Sequence, residues 1–186
     1  WVQGPGNTVP GPELWSLPAK NWVMECWVLP VGTGGVVNRT TSQFMSTGSG
    51  HFGGKPGGAA FRTRVTTDEN GNEAVELRAD AIGVGDAENF TIGEPVVVDG
   101  TRWTHLAVVN NDGVTTFYVN GVASGEASSL VSAPSGVPYI GSGQDTGAAF
   151  SGYLDELRYS TFEPGQFAVA DLLLLPAGPG FISQPQ

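Results

Sequence analysis

Two neighbouring carboxylates, Asp155 and Glu156, lie in the stretch SGYLDELRY at residues 151–159. Paired carboxylates hydrolyse glycosidic bonds, and a retaining glycosidase needs its two carboxyl groups about 5 Å apart on one surface. The stretch is typical of a β-strand, in which successive side chains leave opposite faces of the sheet. The two carboxylates are therefore predicted to point in opposite directions. We expect no catalytic residues and no enzyme.

Side-chain parity predicts a separate structural role for each carboxylate. Asp155 shares a face with Leu157 and Tyr159, so we expect it to point inward. There it should accept hydrogen bonds from loop amides or an arginine, because an unpaired buried carboxylate is costly. Calcium ligation is the alternative for Asp155. Glu156 shares a face with Arg158, and the two are expected to form a solvated surface pair.

His105 and the single cysteine give no further catalytic signal. His105 lies in the run WTHLA, two residues after Trp103 on the same face of a predicted strand. No Ser or Cys nucleophile motif accompanies His105, so we predict that both residues are structural. Cys26 has no second cysteine to pair with, and strand parity with Met24 and Val28 predicts that it is buried as a small apolar side chain.

Short β-rich segments alternate with turns, and no stretch keeps a helical period over three turns. The runs FRTRVTT and EAVELRA flank Asn70-Gly71, where glycine accepts the positive φ of a tight hairpin turn. The run TRWTHLAVVNNDGVTTFYVNGVA predicts a three-stranded meander with turns at Asn111-Asp112-Gly113 and Asn120-Gly121. These patterns predict an all-β protein.

Length and charge limit the functions of the chain. Its 186 residues predict one domain with Pro- and Gly-rich tails. With 18 acidic and 8 basic residues, the formal charge is -10, which disfavours nucleic acid as a partner. No apolar run approaches the roughly 20 residues of a membrane span, so no membrane insertion is expected. The carboxylates favour calcium, and no other cofactor is predicted.

Four pieces of the chain, in order, resemble a laminin G-like domain of the concanavalin A-like lectin/glucanase superfamily: NWVMECWVLP, TRWTHLAVVNNDGVTTFYVNGVA, YIGSG and FSGYLDELRYSTFEPGQFAVADLL. The resemblance covers about residues 20–175, which it implies are the core of the domain. It also implies a jelly-roll sandwich of two antiparallel sheets, whose loops or concave face bind glycans, proteins or calcium in many relatives. It also implies a packing role for His105. Glucanases of this superfamily place their acids in an E-x-D-x-x-E strand, which this sequence lacks. The last piece looks bacterial and extracellular, which implies an extracellular or cell-surface location.

Candidate sugar-binding residues are aromatic side chains that can stack on a pyranose ring. Strand parity or loop placement selects Trp27, Phe52 and Tyr118. Burial in the core is the alternative for each of them.

A calcium site is predicted from two loops, at the places where pentraxin-like relatives carry their calcium ligands. Asp68 and Asn70 lie in the hairpin turn, and Gln144 and Asp145 come just before the last strand. Acidic residues do not follow Asp145 as they do in those relatives. Backbone carbonyls and water would have to complete the roughly 6–8 oxygen ligands of calcium. Solvated turns are the alternative.

These features together predict a non-catalytic extracellular recognition module, such as an adhesion domain, that binds a glycan or a surface protein through rim loops and the concave face. The alternative is a structural subunit of an extracellular filament or surface assembly. In that case the Pro- and Gly-rich tails would contact neighbouring copies by strand addition at sheet edges.

Overall fold

The computed structural model describes residues 17–32, 41–47, 58–67, 69–81, 90–127, 140–141 and 150–174. Within these ranges the chain forms nine β-strands and one short 3-10 helix, Val169–Asp171. The strands are β1 (Trp22–Pro30), β2 (Thr41–Ser46), β3 (Ala59–Thr67), β4 (Glu73–Ala81), β5 (Phe90–Val98), β6 (Thr104–Asn111), β7 (Val114–Val119), β8 (Val122–Glu126) and β9 (Gly152–Thr161). No helix in this part of the chain is long and apolar enough to cross a membrane.

The strands pair antiparallel in two sheets. One sheet has five strands in the order β8-β7-β6-β1-β9, and the other has four strands in the order β2-β3-β4-β5. The four-stranded sheet is inserted in the sequence between β1 and β6, which are neighbours in the five-stranded sheet. The predicted all-β sandwich of two antiparallel sheets is confirmed.

The core lies between the two sheets, and every second side chain of β1 points into it. Its residues Trp22, Met24, Cys26 and Val28 are all 0% exposed and pack in one cluster with buried side chains of the four-stranded sheet, including Phe61. This arrangement confirms the predicted parity of β1 and the burial of Cys26. Burial and the nearby charge of Glu25 raise the pKa of the Cys26 thiol, which keeps it protonated and unreactive.

Both predicted hairpin units are present. Gly71, at the tip of the hairpin between β3 and β4, has a φ of 84°. Asp112 and Gly113, between β6 and β7, have φ values of 48° and 93°, and Asn120 and Gly121, between β7 and β8, have 50° and 79°. Two successive residues with positive φ form the turn that matches the twist of a two-residue hairpin.

The two sheets meet closely at one edge, where β5 lies against β8. A register shift in β5 begins at Gly93, which has a φ of 64°. Its backbone contacts that of Gly125 in β8 so closely that a Cβ on Gly125 would lie 2.7 Å from the Gly93 Cα. The Ser124 hydroxyl also donates a hydrogen bond to the carbonyl oxygen of Glu94 at 2.7 Å. Glycine is required here because the two backbones touch.

Residues 162–174, here called the C-terminal segment, cover the outer face of the five-stranded sheet, which points away from the four-stranded sheet. Leu172 is 5% exposed and belongs to a second apolar cluster with Val23, Ala107 and Val109. The 3-10 helix lies within this segment. The outward side chains of β1 are therefore buried as well as its inward ones.

Candidate functional site

The acidic doublet lies on a β-bulge. In the pairing of β1 with β9, Trp27 is opposite Asp155 and Glu25 is opposite Arg158, so β9 carries one residue more than β1 over this interval. Glu156 has a φ of 48°, in the left-handed region that non-glycine residues rarely adopt. An extra residue of this kind breaks the alternation of side chains along the strand.

Two predictions for the doublet are wrong because of this bulge. Leu154 and Leu157 both pack against the core, and Asp155 between them is exposed rather than directed inward. Its Oδ1 accepts a hydrogen bond from the N–H of Glu156 at 2.8 Å. Glu156 does not form the expected pair with Arg158, whose guanidinium binds Glu25 instead.

The two carboxyl groups of the doublet lie in different surroundings. The Oε2 atom of Glu156 is shielded from solvent and has no hydrogen-bond partner among the residues that the structure describes. Asp155 is exposed and uses Oδ1 to bind the local backbone. The two neighbouring carboxyl groups therefore have different surroundings, one exposed and bonded to the local backbone and the other shielded at Oε2.

Replacing Glu156 with glycine is expected to stabilise the fold by about 1 kcal/mol. The change removes left-handed strain of roughly 1–2 kcal/mol and an unpartnered buried oxygen, and these gains exceed the roughly 0.5–1 kcal/mol entropy cost of glycine. Urea unfolding measures the difference. Glu156→Ala is the matched control, because it removes the carboxylate but keeps the strained Cβ. A glycine variant less stable than the wild type would contradict this account.

A buried polar cluster surrounds Glu25 on the outer face of β1. Glu25 and His105 are both 0% exposed, and His105 Nε2 lies 2.9 Å from Glu25 Oε2. Arg158 Nε donates to Glu25 Oε1 at 2.5 Å, and the N–H of Leu173 donates to Oε2 at 2.8 Å. Trp27 lies edge-on to the His105 ring, with centroids 5.3 Å apart, and its indole N–H donates to the Leu173 carbonyl at 3.0 Å.

The cluster keeps Glu25 ionised. Burial alone would raise the pKa of Glu25, but hydrogen bonds from His105 and the Leu173 N–H, with the charge of Arg158, hold this pKa below its ordinary value. Both carboxylate oxygens are used to hold the sheet and the C-terminal segment together. The buried role of Glu25 was not predicted, although an isolated Glu in the apolar run WVMECWV is an available signal in the sequence.

Of the three predicted sugar-stacking aromatics, the two that the structure describes do not form a common exposed surface. Trp27 is only 7% exposed and lies beneath the C-terminal segment. Tyr118 is half-buried on the same face, with its ring 6.0 Å from that of Phe167. Phe52 lies outside the described residues.

The predicted calcium ligands are mostly beyond the described ranges. Asn70 lies in the exposed turn between β3 and β4, whereas Asp68, Gln144 and Asp145 fall outside those ranges. Among the residues that are described, no group of three or more His, Cys, Asp or Glu side chains could hold a metal ion. Calcium binding stays a prediction.

An open cleft of about 640 Å³ lies at one end of the sandwich, where β1, β5 and β7 end and β4 and β6 begin. We call it the rim cleft. Its apolar wall consists of Val75, Val96, Val97 and Val98, and its polar lining residues are Glu73, Asp99, Arg102, Thr104 and Asn120. Small-molecule sites occupy roughly 300–1,000 Å³ and combine apolar walls with a few polar groups, and the rim cleft has a volume in this range and a mixed lining.

The connection between β5 and β6 forms part of the cleft lining and is held by hydrogen bonds within it. Asp99 Oδ1 accepts hydrogen bonds from the hydroxyl and the N–H of Thr101 at 2.7 and 2.9 Å. These bonds and the positive charge of Arg102, 3.8 Å from Asp99, lower the pKa of Asp99. Asp99 therefore offers an anionic acceptor. Arg102, whose side chain is 86% exposed, offers donors beside it.

Two aromatic rings lie close together here, one at the end of the β5–β6 connection and one on β9. Trp103 lines the cleft, and its ring centroid lies 6.5 Å from that of Tyr153, which is 44% exposed. Trp103 was expected to be a structural residue, and the structure places it half-buried in the cleft lining. The cleft was not predicted from the sequence, but the turn-forming run Asp99-Gly100-Thr101 just before Arg102 and Trp103 is a usable signal.

The five-on-four antiparallel sandwich with an open rim cleft defines a lectin-like β-sandwich. A laminin G family model, described as the Concanavalin A-like lectin/glucanases superfamily, matches residues 4–163. The chain belongs to this superfamily, as the resemblance of its sequence predicted. No curated protein matches the chain.

Several solved structures are similar to this chain. The heptameric SAP-like pentraxin from Limulus polyphemus aligns with a TM-score of 0.51 and 20% identity, over 79% of this chain and 67% of that one. Domain 4 of the extracellular arabinanase AbnA from Geobacillus stearothermophilus, in complex with arabinotriose, has a TM-score of 0.48 and 20% identity, over 83% and 66%. The binding domain of Botulinum neurotoxin serotype D has 0.48 and 11%, over 87% and 36%. The pentraxin likeness supports the shared fold alone.

Proposed function

We propose that this chain is a non-catalytic recognition module that binds a glycan in the rim cleft. The observation that carries the proposal is the lining of the cleft, where Trp103 lies beside the anionic acceptor Asp99 and the exposed donors of Arg102. An aromatic ring offers an apolar face to a sugar, and the charged groups can bond its hydroxyls. The exposed ring of Tyr153 extends the aromatic surface beyond the cleft.

The proposed location and the proposed role of calcium rest on the sequence. We propose an extracellular or cell-surface location because the C-terminal part of the domain resembles a bacterial extracellular type. Calcium assistance, predicted from the loops around Asp68 and Asp145, is retained as a separate part of the proposal. A surface protein is the alternative partner, because the cleft residues Glu73 and Arg102 are equally suited to polar groups of a peptide.

Titration of the purified chain with a panel of soluble oligosaccharides tests the proposal. For any sugar that binds, Tyr153→Ala and Arg102→Ala are each expected to weaken affinity at least about fivefold, which corresponds to about 1 kcal/mol. Both side chains are exposed, so the thermal midpoint should stay near that of the wild type.

Arg64→Ala is the matched control, because Arg64 is an exposed cation on β3 outside the cleft. Its affinity for the sugar should equal that of the wild type. A blank panel, or a sugar whose binding changes equally in all three variants, would reject glycan binding in the rim cleft. Release of reducing ends from a bound oligosaccharide would reject the non-catalytic part.

A further inference from the structure

An apolar side chain and a carboxylate lie next but one to each other at the end of β5, and both line the rim cleft. Val98 packs against the core, so Val97 points to the opposite face of the sheet, where it is 62% exposed. The side chain of Asp99, just after β5, is 56% exposed. The cleft therefore offers a ligand an apolar contact and an anionic acceptor at one place.

Other exposed apolar groups lie around the same cleft. Val31 is 49% exposed and lies between Pro30 and Gly32, which both line the cleft. Tyr153 is exposed beside the ring of Trp103. A hydroxyl group gains nothing from such side chains, whereas a hydrocarbon substituent would remove their apolar surface from water. The lining is therefore matched to a sugar that carries an apolar substituent.

The cleft also contains hydrogen-bond donors. Asn120 is exposed and lines the cleft, and its Oδ1 accepts the N–H of His105 at 2.9 Å. This bond orients the side-chain amide, whose other end, Nδ2, is a donor. Arg102 adds its exposed guanidinium donors. A carbonyl oxygen on the ligand would find a donor at either residue.

The charges of the lining favour an uncharged ligand. Glu73 and Asp99 are anionic and Arg102 is cationic, and the Arg102 guanidinium lies 3.8 Å from the Asp99 carboxylate. The two carboxylates would repel an acidic sugar, and Arg102 would repel an ammonium group bound to Asp99. A neutral amide meets neither repulsion, because its N–H can donate to Asp99 and its carbonyl can accept from Arg102 or Asn120.

We propose that the rim cleft selects sugars that carry an acetamido group, that is, N-acetylhexosamine units. This inference rests on the proposed glycan binding and names the class of glycan. The methyl of the acetamido group packs on Val97, and its N–H donates to Asp99. Its carbonyl accepts from Arg102 or Asn120, and the ring of Trp103 offers its face to the sugar. One substituent thus uses the apolar, anionic and donor groups of the lining together.

Three tetrasaccharides with the same glucose backbone test the proposal, because they differ only in the group on the second carbon of each sugar. Chitotetraose carries acetamido groups, its deacetylated form carries amino groups, and cellotetraose carries hydroxyl groups. Calorimetric titration of the full chain is expected to give an affinity for chitotetraose at least about fivefold above that for either of the others. A smaller preference, or tighter binding of the deacetylated form or of cellotetraose, overturns the proposal.

Val97→Thr tests whether the selection depends on the cleft. Threonine keeps the branched shape and the strand preference of valine but replaces one methyl with a hydroxyl, so the apolar contact is reduced at an exposed position. The ratio of the affinities for chitotetraose and cellotetraose should fall at least about threefold. Val114→Thr, at an exposed valine where β7 begins and the cleft does not reach, is the matched control and should keep the wild-type ratio. An unchanged ratio in Val97→Thr overturns the proposal.

The selection for acetamido groups and glycan binding itself fail on different results. If chitotetraose does not bind while another oligosaccharide of the panel does, the selection is overturned and glycan binding stands. If no oligosaccharide binds, glycan binding is rejected and the selection with it.

Discussion

Replacing Glu25 with alanine is expected to lower the free energy of unfolding by about 3–5 kcal/mol, because the change breaks a buried ion pair by removing one partner. Arg158 would lose its carboxylate, His105 Nε2 would lose its buried partner, and the N–H of Leu173 would lose its acceptor. The loss should include release of the C-terminal segment, since Glu25 holds its backbone directly.

Guanidinium unfolding of the wild type and the variant measures the difference, and Glu163→Ala provides the control for removing an exposed carboxylate. Glu163→Ala is expected to change stability by no more than about 0.5 kcal/mol. A loss below about 1 kcal/mol for Glu25→Ala would show that the cluster around Glu25 does not hold the fold together.

The same variant has a defined dependence on pH. The pKa of Glu25 in the folded protein lies below its ordinary value of 4.5, so its stabilisation is complete above pH 4.5 and is lost as the pH falls through the folded pKa. The stability difference between wild type and Glu25→Ala should therefore be constant at neutral pH and shrink in acid. A difference that widens in acid would contradict the lowered pKa.

The regular elements could be predicted from the sequence because local rules act on them directly. Strand parity assigned the inward residues Trp22 and Cys26, and Asn70-Gly71 and Asn120-Gly121 fixed two turns where left-handed backbone is needed. The family resemblance then supplied the sandwich of two antiparallel sheets. These signals were sufficient for the two-sheet fold.

The positions of the acidic residues could not be predicted in the same way. The bulge at Glu156 has no glycine to mark it, and one extra residue is enough to move Asp155 from an inward to an exposed position. The burial of Glu25 and Trp27 depends on a segment that begins more than 130 residues later and makes no strand pairing with them. The alternation of side chains along one strand cannot predict that a distant segment covers one of its faces.

The rim cleft illustrates the same limit. Its lining combines Glu73, Val97, Arg102 and Asn120, which come from different strands and turns. Their proximity depends on how the two sheets are stacked, and single-sequence patterns do not determine that stacking. The run Asp99-Gly100-Thr101 before Trp103 is typical of a turn, but the sequence does not predict that the rim cleft lies beside it.

Gly125→Ala is expected to destabilise the fold by about 2–5 kcal/mol, combining overpacking with backbone strain. The new Cβ would lie 2.7 Å from the Cα of Gly93, and backbone on the facing strand cannot move aside as a flexible side chain can. This clash would force β5 and β8 apart, and because Gly125 also has a φ of 145°, the alanine backbone would be strained as well. Thermal and urea unfolding measure the loss.

Gly71→Ala is the matched control for Gly125→Ala, since Gly71 has a φ of 84° but open space around its Cβ position. It should cost only the left-handed strain of roughly 1–2 kcal/mol. The excess loss in Gly125→Ala then measures the contact between the two sheets. Equal losses in the two variants would show that the edges of β5 and β8 separate without cost, and the close approach of Gly93 and Gly125 would not be what closes this side of the sandwich.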